Sequence, residues 1–181
     1  VRAKKYKGWD PDLLVGRDMY GSTLGLLGLG GIGKGVAKRA HGLEMNVVYY
    51  DVKRDEVFEK EYGATYLPLE DVLKNSDVVS LHVPLLPTTH HLINTKTLKL
   101  MKKDALLINT ARGGVVDQTA VLKALHTKKI GGFALDVFEC EPSVDCKGST
   151  GQSLRALPNV VMTPHIASAT VRARAAMARI A

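Results

Sequence analysis

The stretch that most restricts what this chain can fold into is Gly28-Leu29-Gly30-Gly31-Ile32-Gly33, a G-x-G-x-x-G phrase. It follows directly on the apolar run Thr23–Leu27 and opens into Lys34-Gly35-Val36-Ala37-Lys38-Arg39, so it joins a strand to a helix. Gly28 permits the tight turn, Gly30 lets backbone approach a pyrophosphate, and Gly33 lets the helix pack closely on the strand. The diphosphate then sits against the free N–H groups and positive dipole end of that helix, which brings Gly31 and Ile32 into the binding turn. The next strand ends at Asp51, close to the roughly 20-residue offset at which an acid meets the adenosine ribose hydroxyls. A carboxylate there repels a 2′-phosphate, which favours NAD over NADP. Lys53 and Arg54 follow at once and leave NADP open. Without the glycine phrase at this distance, Asp51 would be a strand-end turn former.

Around this turn the chain alternates between short apolar runs and helical segments. The runs are Thr23–Leu27, Asn46–Tyr50, 77–81, 105–108, 131–135 and Val160–Met162. Most are apolar throughout instead of alternating, as strands covered by helices on both faces are. Helices are expected over 33–41, 54–62, Leu69–Asn75, 95–101, 119–125 and 170–181. The fold class is therefore α/β, a Rossmann-type doubly wound parallel sheet. Residues 142–158, with Gly, Ser, Thr and Pro and little periodicity, read as a loop. Residues 1–20 read as an irregular lead-in carrying the only tryptophan, Trp9, whose expected role is packing against a neighbouring domain or subunit. Residues 21–181 form the dinucleotide-binding domain.

Bulk properties narrow the function further. A chain of 181 residues supports one well-buried domain. No apolar run approaches the roughly 20 residues that span a bilayer. The start, Val1-Arg2-Ala3-Lys4-Lys5, has no initiator Met and no signal-type stretch, and reads as the opening of a domain or fragment. The net charge of +7 comes from scattered lysines and arginines without interleaved aromatics. Nucleic acid is therefore not expected, and an anionic cofactor and substrate account for a positive bias equally well. The spacing of Cys140 and Cys146 does not match a metal-binding pair, and no metal is expected. They read as two unpaired thiols in a reducing compartment, the cytoplasm.

Hydride transfer to a 2-oxo acid needs a cation for the carboxylate and carbonyl, an acid for the developing alkoxide, and a partner that orients that acid. Arg suits the first, His the second, and Glu or Asp the third. All three types stand at ends of expected strands: Arg112 after 105–108, Glu141 after 131–135, and His165 after Val160–Met162. Ligands of open α/β sheets bind at the carboxyl ends of strands, so one crevice can collect them. Each has a plainer reading. Arg112 could cap a helix or pair with Asp117, and His165 could be a packed strand-end histidine. His82 reads as a cleft-lining residue, and His41, His90, His91 and His126 as ordinary surface residues.

The phrases GLGGIG at 28–33, VVSLHVPL at 78–85, LLINTARGGVVD at 106–117, ALDVFECEP at 134–142 and NVVMTPHIA at 159–167 resemble the D-isomer-specific 2-hydroxyacid dehydrogenases. The resemblance covers nearly the whole chain. It implies Arg112, Glu141 and His165 as catalytic residues and Asp136 as the group that binds the nicotinamide carboxamide. It also places His82, Val83, Pro84, Thr89, Thr110 and Ala111 along the cofactor, together with Arg112 and His165. Glu139 competes for the acid's role, but the family's Glu directly precedes Pro, which points to Glu141. Leu86 departs from relatives that carry Thr there, while Thr89 keeps the second hydroxyl of that segment. Trp9-Asp10-Pro11, Gly16, Tyr20-Gly21 and Ser168-Ala169-Thr170 are most similar to glyoxylate/hydroxypyruvate reductases. The alternatives are a phosphoglycerate dehydrogenase-like enzyme and a non-enzymatic NAD-sensing protein like the related corepressors. Formate oxidation is disfavoured, since that branch carries Gln where Glu141 stands. The resemblance further implies a homodimer and a second, substrate-binding domain outside this chain, without which turnover is expected to be poor.

Overall fold

The computed structural model describes residues 7–13, 15–141 and 150–180. Seven parallel strands form one sheet: β1 (Thr23–Leu27), β2 (Asn46–Tyr50), β3 (Thr65–Tyr66), β4 (Val78–Leu81), β5 (Leu106–Asn109), β6 (Gly132–Leu135) and β7 (Val160–Met162). Their spatial order is β3-β2-β1-β4-β5-β6-β7. The order reverses between β1 and β4, and that reversal opens a crevice at the carboxyl ends of the strands. β1 is bonded in parallel on both sides, with Leu27 opposite Tyr50 of β2 and Leu81 of β4.

Side chains alternate across each strand, so the sheet feeds two apolar layers. Leu24 and Leu26 of β1 join Val47 and Tyr49 of β2 on one face. Against them pack α1 (Gly31–Gly42) through Ala37 and Ala40, and α2 (Glu56–Tyr62) through Phe58. On the other face Leu27, Val79, Leu81, Leu107 and Leu135 meet α3 (Leu69–Asn75), α4 (Thr95–Leu98) and α5 (Gln118–His126). Asp55 and Asp117 cap α2 and α5 by accepting backbone N–H bonds from Phe58 and Ala120, and Asn94 closes a capping box on α4.

The expected strands and helices stand within two residues of their places, with three exceptions. β3 lies in a segment without an apolar run and extends the sheet only through Thr65 and Tyr66 beside β2. The helix expected over 95–101 ends at Leu98. The expected loop 142–158 contains a helix, α6 (Thr150–Arg155), because Leu154 is fully buried in the core and anchors it; residues 142–149 lie outside the described residues. Cys140 is disulfide-bonded, which corrects the reading of unpaired thiols. That reading rested on compartment alone and took no account of local chain geometry; Cys146 lies outside the described residues. The last helix, α7 (Val171–Ile180), has no buried residue.

Candidate active site

Most candidate residues lie just beyond the carboxyl end of a strand, with Thr89 and Glu141 further along the loops after β4 and β6, so the sheet order sets their sequence along one edge. From β2 to β7 these are Asp51, the glycine turn, His82–Pro84, Thr110–Arg112, Asp136 and His165.

Gly28 has φ +100, a backbone conformation that side chains rarely adopt, and a Cβ there would lie 2.8 Å from the His82 carbonyl. A Cβ on Gly33 would meet the Gly28 carbonyl oxygen, so the start of α1 sits directly on the turn. At Gly30 and Gly31 nothing lies within 4 Å of a would-be Cβ, which leaves the approach open. Gly30 provides no side-chain cap for α1, so the helix keeps unpartnered N–H groups at its positive end. Asp51 accepts a bond from Leu29 N–H at 2.7 Å and so ties the strand-end acid to the turn. A groove of about 490 Å³ runs beside it, lined by Leu29, Gly30, Asp51, Lys53 and Arg54. Arg54 is already engaged: Nε and an Nη reach the Glu59 carboxylate at 2.9 and 2.7 Å. Glu59 also accepts from the buried Tyr49 hydroxyl, whose own oxygen accepts from Asp55 N–H. Burial, foremost, and its carboxylate neighbours push the Tyr49 phenol up to about 12, so it stays protonated as that donor.

On the far side of the switch point His82 bonds Ser80 Oγ through Nε2 at 3.0 Å. Burial holds its imidazole below the ordinary histidine range, which favours a neutral cleft wall over a proton carrier. Thr89 Oγ1 donates to the Pro84 carbonyl at 2.6 Å and accepts from Leu86 N–H, so this hydroxyl closes the turn that follows Val83.

Arg112 is exposed and folds one Nη onto the Ala111 carbonyl at 2.7 Å. It stands at the N-cap position of the single 3-10 turn Gly113–Val115 but gives that turn no side-chain cap bond, and Asp117 caps α5 instead of pairing with it. Its turn is fastened from below by Asn109, fully buried, whose amide donates to the Arg112 carbonyl and accepts from Ala111 N–H. Asp136, 4% exposed, accepts from Thr163 Oγ1 and from the backbone N–H groups of Ile166 and Ala167. Burial pushes its carboxyl up, but these three bonds and nearby His165 outweigh that and hold it below the usual range. Asp136 thus grips the turn that carries His165. His165 has φ +54, unusual for a residue with a side chain, and presents Nδ1 to Glu141 Oε2 at 2.8 Å. The other Glu141 oxygen accepts from Phe138 N–H at 2.9 Å. Nδ1 being taken, Nε2 is the nitrogen left for a reacting group.

The structure therefore joins Glu141 to His165, whose turn Asp136 holds, and packs the backbone that follows Arg112 on the same segment: a Cβ on Gly113 would lie 2.0 Å from the Phe138 carbonyl. Sequence reasoning passed over Asn109 and Thr163, which only the fold connects to the site, and treated His91 as surface. His91 instead binds Glu139 at 2.6 Å.

A family model described as D-isomer specific 2-hydroxyacid dehydrogenase, NAD binding domain, matches residues 1–167. The chain belongs to this family. Among curated members it is 50% identical over 184 residues to the glyoxylate reductase of Pyrococcus horikoshii, covering 99% of this chain and 53% of that one. The glyoxylate reductase of Korarchaeum cryptofilum is 49% identical, with the same coverage. A crystal structure of a D-isomer specific 2-hydroxyacid dehydrogenase from Lactobacillus delbrueckii, in its NAD-complexed form, superposes with a TM-score of 0.86 at 39% identity. It is matched over 96% of this chain and 54% of that one. The chain spans about half the length of these relatives.

Proposed function

We propose that this chain is the cofactor-binding part of an NAD-dependent reductase of small 2-oxo acids, glyoxylate and hydroxypyruvate foremost. The observation that carries the proposal is the His165–Glu141 pair, 2.8 Å apart on the strand-end edge that also holds the glycine turn. The names of the similar glyoxylate reductases support the substrate class. The open approach at Gly30 and Gly31, the uncapped start of α1 and the Asp51 carboxylate fit a dinucleotide diphosphate and ribose. Asp51 and the engagement of Arg54 by Glu59 favour NAD over NADP.

NADH, when bound, supplies the hydride for carbon 2 of the oxo acid. The exposed Arg112 guanidinium binds the substrate carboxylate and draws charge toward the carbonyl oxygen. His165 gives the proton on Nε2 to that oxygen as alkoxide charge develops. Glu141 holds the ring by Nδ1 and so fixes its orientation, while Asp136 fixes the turn from which the ring projects. His82, Val83, Pro84, Thr89, Thr110 and Ala111 line the cofactor's path in this reading.

Within the same proposal residues 1–20 form a lead-in to a partner subunit of a homodimer, and 21–181 the cofactor domain. The exposure of Trp9 and Tyr20, 84% and 71%, supports this. No helix among the described residues is long and apolar enough to cross a membrane. A cytoplasmic location fits an enzyme drawing on a metabolic cofactor pool. The Cys140 disulfide weighs against it, disulfides being rare in reducing compartments; thiol counting on protein from intact cells decides between them.

The test is oxidation of NADH and of NADPH by the intact protein with glyoxylate, hydroxypyruvate, pyruvate and phosphohydroxypyruvate offered separately. Fast NADH oxidation with the first two is expected. Preference for phosphohydroxypyruvate would move the reading to a phosphoglycerate dehydrogenase-like enzyme. Tight NADH binding without turnover on any oxo acid would replace it with a sensor.

A further inference from the structure

Two of the four described non-glycine residues with positive φ are histidines, His91 at +49° and His165 at +54°. Each binds a carboxylate of one short segment: His91 Nε2 lies 2.6 Å from Glu139 Oε1, and His165 Nδ1 lies 2.8 Å from Glu141 Oε2. Left-handed backbone at such residues is strained and persists only where surrounding structure holds it. At His91 that structure is explicit. Its N–H donates to the Gly114 carbonyl at 2.8 Å, its carbonyl accepts from the Asn94 amide at 2.8 Å, and His90 stacks on its ring. Two residues on, Ile93 pairs in parallel with Val116.

These contacts lock the loop after β4 to the turn that follows Arg112. That turn in turn rests on the Glu139 segment, since a Cβ on Gly113 would lie 2.0 Å from Phe138 carbonyl atoms and 2.3 Å from Glu139 N. The imidazole of His91 then reaches from the first loop to the Glu139 carboxylate and closes a ring of three loops. Side chains at Glu139 and His91 are each about one-third exposed, 35% and 33%, so water screens the pair only in part. Glu141 is two residues from Glu139 and has a short reach to His165, so the set of the 138–141 backbone decides whether it arrives.

Resting on the reading under Proposed function, we infer that His91 and Glu139 are positioning residues: their hydrogen bond fixes the 138–141 segment so that Glu141 meets His165 while the segment stays packed on the Arg112 turn. Neither touches the reacting atoms.

The experiment compares wild type, Glu139→Ala, Glu139→Gln, His91→Phe and Glu141→Gln in the intact protein. Glu139→Ala and His91→Phe are expected to lower kcat about tenfold, short of the roughly hundredfold that a 1 Å misplacement can cost. NADH affinity and melting temperature stay near wild type. The pH profile of kcat/KM moves in the same direction as in Glu141→Gln, and Glu139→Gln, which keeps a hydrogen bond to His91, recovers most of kcat. An unmoved kcat and pH profile in Glu139→Ala overturns the inference. So does a parallel loss of NADH affinity, melting temperature and kcat, which would make the pair a general support. His165 imidazole resonances, assigned by their loss in His165→Gln, provide a readout independent of turnover. Their displacement in Glu139→Ala supports positioning even if no oxo acid is reduced, and their constancy overturns it.

Discussion

At the scale of single residues the proposed site depends on a few groups. His165 is the imidazole that Glu141 holds, and Arg112 is exposed with its backbone fastened by Asn109. His165→Ala is expected to lower kcat/KM by about 10²–10⁴-fold, the range for a positioned acid. Arg112→Ala is expected to cost about 10²–10³-fold, as loss of a charge-stabilising donor does. Steady-state kinetics on glyoxylate check both, and near-normal turnover in either variant would remove that residue from its role. Gly113 makes a different demand. Backbone atoms of Phe138 and Glu139 occupy the space of its missing Cβ, and backbone cannot swing aside as a flexible side chain can. Gly113→Ala should cost about 1–3 kcal/mol of stability, the scale of overpacking, measured by denaturant unfolding. It should also lower kcat by prising the Arg112 turn from the Glu141 segment. Unchanged unfolding would mean that the two loops part easily and that their packing positions nothing.

At the scale of elements the β6 end and the turn after β7 act as one piece through Asp136. Its carboxyl is held below the ordinary range, despite the opposing effect of burial, by bonds from Thr163, Ile166 and Ala167. A carboxyl depressed on folding contributes stability that is present above its unfolded value, about 3.9, and is lost as pH falls through the lower folded value. Asp136→Asn is therefore expected to destabilise the domain by about 2 kcal/mol at neutral pH, one charged hydrogen bond's worth. The difference from wild type should shrink as pH drops below about 4. Urea unfolding across that range measures it, and a pH-independent gap would show that shape, not charge, is what Asp136 contributes. Elements also set the limit of what sequence reveals. The run Thr23–Leu27 and the glycine phrase declare strand, turn and helix locally, and Asp51 follows from its offset. β3 has only Thr65 and Tyr66 and exists because β2 offers an edge. α6 lies among Gly, Ser and Thr and is held by the burial of Leu154. The bond between His91 and Glu139 spans 48 positions. No local pattern records such a contact, so His91 looked like any surface histidine.

At the scale of the whole molecule the site residues follow the sheet order, whereas the lead-in and α7 lack covering. Trp9, Val15 and Tyr20 are 84%, 74% and 71% exposed, and α7 has ten residues without one buried. Large apolar side chains exposed together mark a contact surface. Of these segments the lead-in is legible only by exclusion, since it carries apolar residues without the pattern of the sheet or its helices, whereas the helix expected over 170–181 stands as α7. Trp9 is the only tryptophan, so indole fluorescence reports on the lead-in alone. If the lead-in packs on a partner subunit, emission at high protein concentration should be blue-shifted and resistant to iodide. On dilution it should move to the red and become quenchable, at the concentration where light scattering registers the change from dimer to monomer. Red, quenchable emission at every concentration, with scattering that stays dimeric, would place the dimer interface elsewhere. Blue emission that ignores dilution in a monomer would mean that Trp9 is covered from within its own polypeptide.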